Sequence, residues 1–380
     1  MLYRKMNKAS PELSILGFGC MRLPVKNDGG IDEKTATWMI RYAIDNGVNY
    51  IDTAYPYHNG ESEPFVGRAL QEGYRGKVNL ATKLPSWLIR SRQDMDRYLE
   101  EQLGRLRTDH IDFYLVHGLN HSFWENLSAL GVTDFLDRAT GDGRIRYAGF
   151  SFHDSSALFT EIVESYDWTF AQIQYNFMDE NYQAGTKGLK YASKKGLGIV
   201  VMEPIRGGLL ARDLKGISDI WKKAEVRRDP AEWALRWVWD HPEVTVVLSG
   251  MSTPEQVRQN VALAETGKPG TLSKKELALF GKVRKELKKR IVVPCTGCRY
   301  CIPCPHGVSI PECFEMFNQG HIYDNKEDAR QHYTMFLGGF FDGVPHYASC
   351  CQDCGECEEK CPQGIPIRKN LKKVAEYFGR

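Results

Sequence analysis

Short runs rich in Val, Ile, Leu and aromatic residues recur along the first two thirds of the chain: "LSILGFG", "VNYIDTA", "VNLATK", "IDFYLVHG", "IRYAGFS", "TFAQIQYN", "LGIVVMEP" and "VTVVLSG". Near-continuous apolar runs of this length predict buried strands. Between them lie segments whose apolar positions repeat with helical spacing, such as "DEKTATWMIRYAIDNG", "SRQDMDRYLEEQLGRLR" and "DPAEWALRWVWDHP". Many of these open at Asp or Ser and stop at Gly or Pro, residues that cap and break helices. Strands alternating with helices, about eight of each over about 250 residues, predict an α/β fold of the (β/α)8 barrel type. A doubly wound sheet shares the alternation, but no G-x-G-x-x-G follows the first strand.

The last quarter changes character. Of 11 cysteines in the chain, ten lie beyond residue 290. One run reads Cys295-x2-Cys298-x2-Cys301-x2-Cys304-Pro305 and the other Cys351-x2-Cys354-x2-Cys357-x3-Cys361-Pro362. The second matches the bacterial ferredoxin ligand spacing, in which three close cysteines grip one iron–sulfur cube and the fourth, before a proline, ligates the other. The first run is one residue short at its last gap, so Cys298, Cys301 and Cys304 are an alternative trio. With Cys304 as the crossing ligand, as its following proline suggests, two [4Fe–4S] clusters are expected. One is held by Cys295, Cys298, Cys301 and Cys361, the other by Cys351, Cys354, Cys357 and Cys304. Paired C-x2-C motifs also build zinc sites, but zinc needs only four ligands. Cys313 and Cys350 are left over, with Cys350 the substitute for Cys351 in a shifted register. Cys20 is most simply a small core residue.

Composition excludes several classes. The 380 residues are 42% apolar, with a net charge of +2. That balance argues for no nucleic-acid partner. The basic run "KVRKELKKR" carries a glutamate in a helical pattern and reads as a solvated helix face. No apolar stretch of about 18 residues predicts a membrane span, and "MLYRKMNKASPEL" has no apolar core of a secretory signal. A cytoplasmic location is therefore expected, where clustered thiols serve as metal ligands more often than as disulfides.

In a barrel, chemistry sits at the C-terminal ends of the strands. Asp52, Lys83 and His117 end three successive runs, and Tyr57 follows Asp52 by five residues. A free tyrosine, of pKa about 10, is a weak acid. An ammonium beside it favours the tyrosinate, and a carboxylate can hold that ammonium in place. An imidazole can orient a carbonyl and donate to its oxygen. Together these suit carbonyl reduction.

The segments "NYIDTAYPYHNGESEPFVGRAL", "NLATK" and "IDFYLVHG" resemble the signatures of the aldo-keto reductases, over roughly residues 1–265. The resemblance implies a TIM barrel, carbonyl or alcohol substrates, and a catalytic tetrad at Asp52, Tyr57, Lys83 and His117. The tail resembles the ferredoxin-like extension of one branch of that family. The family binds NADP across the barrel mouth. By resemblance, the nicotinamide would meet Ser151, Gln174 and Asn176, and the pyrophosphate would run along Arg206, Gly207 and Leu209. The adenosine end would lie on Gln256, Gln259 and Asn260. Many members place basic residues after the last strand and where Gln256 stands. This chain offers Gly250 and Gln256, with Arg258 one face away, which leaves NADP and NAD both open.

The expected organisation is a barrel over 1–270, a connecting helix over 271–293, and a small, mainly α-helical ferredoxin-like iron–sulfur domain over 294–380. Nicotinamide delivers a hydride, whereas a cluster passes one electron at a time, so a flavin in place of the nucleotide is an alternative. The leading expectation is a barrel reductase whose clusters exchange electrons with a one-electron carrier protein. The others are an NAD(P)H-dependent carbonyl reductase with structural clusters, and a non-enzymatic redox-sensing or partner-binding module. Trp87, Asn120 and Trp124 are candidates to line the substrate pocket or to pack its rim.

Overall fold

All eight expected runs supply strands to one closed parallel barrel. The first run, however, is broken in two. Its early residues form a strand β2 (Glu12–Ser14) that turns back antiparallel on β1 (Tyr3–Lys5). Its later residues form β3 (Leu16–Gly19). The break falls at Ser14, whose backbone N–H donates to Asn49 Oδ1 at 2.8 Å while its hydroxyl accepts from Asn49 N at 3.0 Å. Side chains thus take over the ladder groups at the break.

The barrel continues with β4 (Tyr50–Asp52), β5 (Asn79–Leu84), β6 (Ile111–Leu119), β7 (Ile145–Phe152), β8 (Phe170–Gln174), β9 (Gly198–Met202) and β10 (Val246–Ser249). Neighbours pair in sequence order, and β10 closes on β3. The computed structural model describes residues 1–6, 10–340 and 342–380. It divides them into two units: Met1–Ala211 with Arg228–Ser273, and Arg212–Arg227 with Lys274–Arg380.

The barrel is filled, not hollow. Tyr50, Ala81, Phe113, Phe170, Val200 and Val246 form its buried interior. Met6 and Leu13 join this cluster from the N-terminal hairpin. Met6 lies so close to Gly198, at the start of β9, that a Cβ there would sit 2.2 Å from its Cγ. The hairpin therefore plugs the N-terminal end of the barrel and leaves the C-terminal end for chemistry. Two helix starts carry the Asp and Ser caps expected from sequence: Asp32 accepts from Thr35 N, and Ser91 and Asp94 form a capping box. Asp229 makes no side-chain cap bond, and Thr253 accepts from Gln256 N.

One close approach gives a stability test. Gly149 of β7 faces Phe170 of β8, and a Cβ on Gly149 would meet the ring at 2.4 Å. Gly149→Ala should cost about 1–3 kcal/mol, the usual range for overpacking. Thermal melts should show a lower barrel midpoint; an unchanged midpoint would mean the ring is not wedged there.

The second unit has its own core. Phe314, Phe317, Tyr333, Leu371, Val374 and Phe378 pack at its centre, from helices Ile310–Ile322, Lys326–Leu337 and Ile367–Phe378. The helix Lys274–Lys288 also belongs here, with Phe280 against Trp221 of the mid-chain segment at 5.0 Å between ring centroids. Among the described residues, no helix is long and apolar enough to cross a membrane.

Candidate active site and cysteine hollows

Strand register brings the expected tetrad together. Asp52 is the last residue of β4, and Lys83 is next to last in β5. Lys83 Nζ donates to Asp52 Oδ1 at 2.7 Å and to the Thr53 carbonyl at 2.8 Å. Both side chains are buried, at 1% and 3% exposure, so each holds the other against the cost of burying a charge. Tyr57 Oη lies 3.5 Å from Lys83 Nζ, at the outer limit of a hydrogen bond. The Tyr57 and His117 rings are 6.4 Å apart, and Trp87 stands edge-on to His117 at 5.3 Å.

His117 reaches this mouth through an irregularity. The pairing of β6 with β7 shifts between Val116 and Leu119, and Gly118 takes φ +62°. Ser86 Oγ donates to the His117 carbonyl at 2.6 Å, and Gly118 N donates to Ser151 Oγ at 2.7 Å. Two hydroxyls therefore satisfy the backbone groups the bulge releases, and the bulge re-aims the imidazole. Tyr57 sits on an equally unusual turn: His58, Asn59 and Gly60 have φ of 51°, 56° and 90°. Leu23 N donates to His58 Nε2 at 3.2 Å, which ties this turn to the loop after β3.

Electrostatics set the protonation states. Burial, then the Lys83 charge and His153, drive the His117 pKa well below its usual value, so the imidazole is neutral. Its Nδ1 is buried and meets no partner among the described residues. Burial lowers Lys83, but Asp52 and Tyr57 more than restore it, so the ammonium persists. Sequence reasoning expects Lys83 to bring the Tyr57 pKa down. Lys83 does pull in that direction, yet burial outweighs it and the phenol ends above its usual value. Tyr57 is thus a protonated acid at neutral pH.

A polar network behind the tetrad escaped sequence reading. Glu63, fully buried, accepts from Thr82 Oγ1 and Gln102 Nε2, each at 2.6 Å. Gln102 Nε2 also donates to the Lys83 carbonyl at 3.0 Å, and Tyr114 Oη donates to Gln102 Oε1 at 2.8 Å. The one available signal was Gln102 itself, a polar residue in the buried stripe Met95, Leu99, Gln102, Leu106 of its helix.

The residues expected to hold a nucleotide behave unevenly. Gln174 Nε2 and Asn176 Nδ2 both donate to Asp179 Oδ2, at 3.0 and 2.9 Å, and Arg206 Nε lies 3.4 Å from the same oxygen. Asp179, unsuspected from sequence, gathers these three. Gly207 follows at φ +64°, and Leu209 is buried beneath. Asn260 Nδ2 donates to Ser249 Oγ at the end of β10, at 3.0 Å. Gln256 instead caps its own helix by accepting from Ser252 N at 2.8 Å, and Gln259 donates to Asp229 at 3.1 Å. Arg258 pairs with Glu255 and stacks on Trp38. Of the pocket candidates, Trp87 faces His117. Asn120 caps a helix by accepting from Phe123 N, and Trp124 is buried against Trp168.

In the second unit the cysteines line two mostly apolar hollows. Cys295, Cys298, Cys301 and Cys361 line one, with Ile310, Phe314 and Ile367. Cys304, Cys351, Cys354 and Cys357 line the other, which Cys301 also borders. Among the described residues, no three His, Cys, Asp or Glu side chains converge closely enough to hold a single ion. The thiols surround space instead, as a cube-shaped cluster requires. Cys350 lies on neither lining and donates to the Pro345 carbonyl at 3.6 Å. Cys313 is buried in the helical core.

Two family models match successive stretches of the chain. The aldo/keto reductase family model matches residues 15–281, and the 4Fe–4S dicluster domain model matches residues 294–366. Among curated proteins, the aldo-keto reductase YhdN of Bacillus subtilis is 28% identical over 294 residues, covering 68% of this chain and 87% of that protein. The uncharacterized oxidoreductase YqkF of the same organism is 26% identical over 296 residues, covering 70% and 91%. Methylglyoxal reductase YeaE of Escherichia coli is 27% identical over 293 residues, covering 74% and 95%. Among solved structures, the holo form of aldo-keto reductase AKR11C1 from Bacillus halodurans aligns with a TM-score of 0.63 at 26% identity. It covers 74% of this chain and 96% of that one.

Proposed function

We propose, from the premise that the chain belongs to the aldo/keto reductase family, that this oxidoreductase interconverts a small-molecule carbonyl and its alcohol with Tyr57 as proton donor. The observation that carries the reading is the buried Lys83–Asp52 pair beside Tyr57, with a neutral His117 at the same mouth. A bound NADP or NAD would supply the hydride, held by Ser151, Gln174, Asn176 and the Arg206–Leu209 turn. A glycine at 207 in the left-handed region leaves the turn open to close backbone approach, which fits such a ligand. Tyr57 Oη gives its proton to the carbonyl oxygen, and Lys83 stabilises the phenolate that remains. Asp52 keeps Lys83 in place. His117 donates to the same oxygen and orients it.

In the second unit, Cys295, Cys298, Cys301 and Cys361 would hold one [4Fe–4S] cluster, and Cys351, Cys354, Cys357 and Cys304 the other. These clusters would supply one-electron transfer to a carrier protein. Support comes from the two cysteine-lined hollows and the dicluster match.

The test is anaerobic. NADH and NADPH are offered with a panel of aldehydes and ketones, while the cluster absorption is followed. Nucleotide oxidation that depends on the carbonyl supports the barrel reading, and its absence across the panel refutes it. Bleaching of the clusters by a nucleotide or the alcohol supports their redox role; bleaching by dithionite alone makes them structural.

Lys83 and Asp52 should act as one unit with Tyr57. Lys83→Met and Asp52→Asn should each lower turnover strongly, and the double variant should lose far less than the product of the two. Because Lys83 pulls the phenol pKa down, Lys83→Met should move the high-pH limb of the reduction profile upward. Multiplicative losses, or a limb that moves down, would show independent roles.

A further inference from the structure

The cations that the nucleotide reading draws from sequence are already engaged. Arg206 lies against Asp179, and Arg258 pairs with Glu255. A different arginine stands in the space between the first and last barrel strands. Arg22 ends the short turn Cys20–Arg22 that follows β3. Its stem crosses Gly250, the residue after β10: a Cβ on that glycine would lie 3.4 Å from Arg22 Cβ, Cγ and Cδ. Its guanidinium continues to Gly207, where a Cβ would lie 2.7 Å from Nη2. No carboxylate pairs with Arg22 among the described residues, and the side chain is half-buried.

Each neighbour is shaped to this course. A side chain at 250 would lie in contact with the stem, and one at 207 would have to displace the charged end. Gly207 also takes φ +64°, which disfavours any other residue there. The turn that carries Arg22 is itself fixed, because Leu23 N donates to His58 Nε2 and Ser62 Oγ donates to the Cys20 carbonyl at 3.3 Å. The result is a positioned guanidinium, uncompensated by a carboxylate, over a glycine turn at the C-terminal end of the barrel. Such a group suits a phosphate oxygen, which it can meet with two parallel N–H donors.

We propose that Arg22 is the principal cation for the pyrophosphate of the bound dinucleotide, reaching it from the loop after the first strand. This rests on the reading of the barrel mouth as a dinucleotide site. The pyrophosphate is chosen over the 2′-phosphate because the guanidinium reaches the Gly207 turn, while its stem, not its charge, covers Gly250. Both NADH and NADPH carry the pyrophosphate, so Arg22 serves them alike and does not choose between them.

Equilibrium binding tests this without turnover. NADH and NADPH are titrated into the anaerobically purified full chain by calorimetry, for the parent, Arg22→Ala, Arg22→Gln and Arg22→Lys. The Gln variant keeps most of the stem on Gly250, and thermal melts verify the fold of each. Loss of a charge-assisted contact should weaken both nucleotides in the Ala and Gln variants by roughly ten-fold or more, by similar factors. Arg22→Lys should recover part of the loss. Unchanged affinities in folded Ala and Gln variants overturn the proposal. A loss confined to NADPH also overturns it, since Arg22 would then read the 2′-phosphate. A folded parent that binds neither nucleotide overturns the dinucleotide reading itself, and Arg22's role with it.

Discussion

Tyr57→Phe is expected to lower carbonyl-reducing turnover by about two to four orders of magnitude, the contribution of a positioned general acid. The change removes one hydroxyl and keeps the ring against Lys83 and His117. Lys83 retains its bonds to Asp52 and the Thr53 carbonyl, at 2.7 and 2.8 Å, so the buried pair survives. Nucleotide affinity and thermal midpoint should therefore match the parent. Burial leaves the phenol above its usual pKa, so the acid form dominates at neutral pH and reduction should fade only as pH rises through that raised value. This high-pH limb should disappear with the hydroxyl. Steady-state rates on a carbonyl the parent reduces decide the matter; near-parent turnover in Tyr57→Phe would remove Tyr57 as the donor.

Cys361→Ser is expected to damage the cluster gripped by Cys295, Cys298 and Cys301, although Cys361 follows the other trio in sequence. Cys361 borders the same hollow as those three, and Cys304 borders the hollow of Cys351, Cys354 and Cys357. The parent, prepared anaerobically, should hold about eight irons and eight sulfides per chain, two cubes with four thiolates each. The variant should fall towards about four, and its remaining signal should respond to Cys304→Ser but not to Cys298→Ser. Damage to the neighbouring cluster instead would reject the crossing. Zinc without iron in the parent would reject clusters altogether.

The expectation of crossed ligands comes from the Cys-Pro that ends each run, since proline limits how the chain can turn back after its fourth cysteine, and the thiols line the two hollows in that grouping. The barrel was legible because strand and helix periods alternate, and the meeting of Asp52, Lys83 and His117 because they lie at or near the ends of successive strands. The N-terminal hairpin was not: "LSILGFG" is one apolar run, and only the Ser14–Asn49 exchange, between residues far apart in the chain, divides it. Asn120 and Gln256 read as candidate lining and binding residues, yet both spend their side-chain oxygens on helix caps.

Local pattern therefore determined the order of the eight barrel strands and of the helices between them, though not the N-terminal hairpin or the last residue of each strand. Periodicity, caps and spacing are properties of neighbouring residues, and the chain carries them before it folds. Tertiary structure decided which distant polar groups meet. The Glu63–Gln102 network, the approach of Arg206 to Asp179, and the path of Arg22 across two glycines all join distant segments. The state of Tyr57 belongs with them. Its chemistry was visible as a tyrosine near a lysine, but whether that lysine or burial prevails depends on how much water the closed barrel excludes.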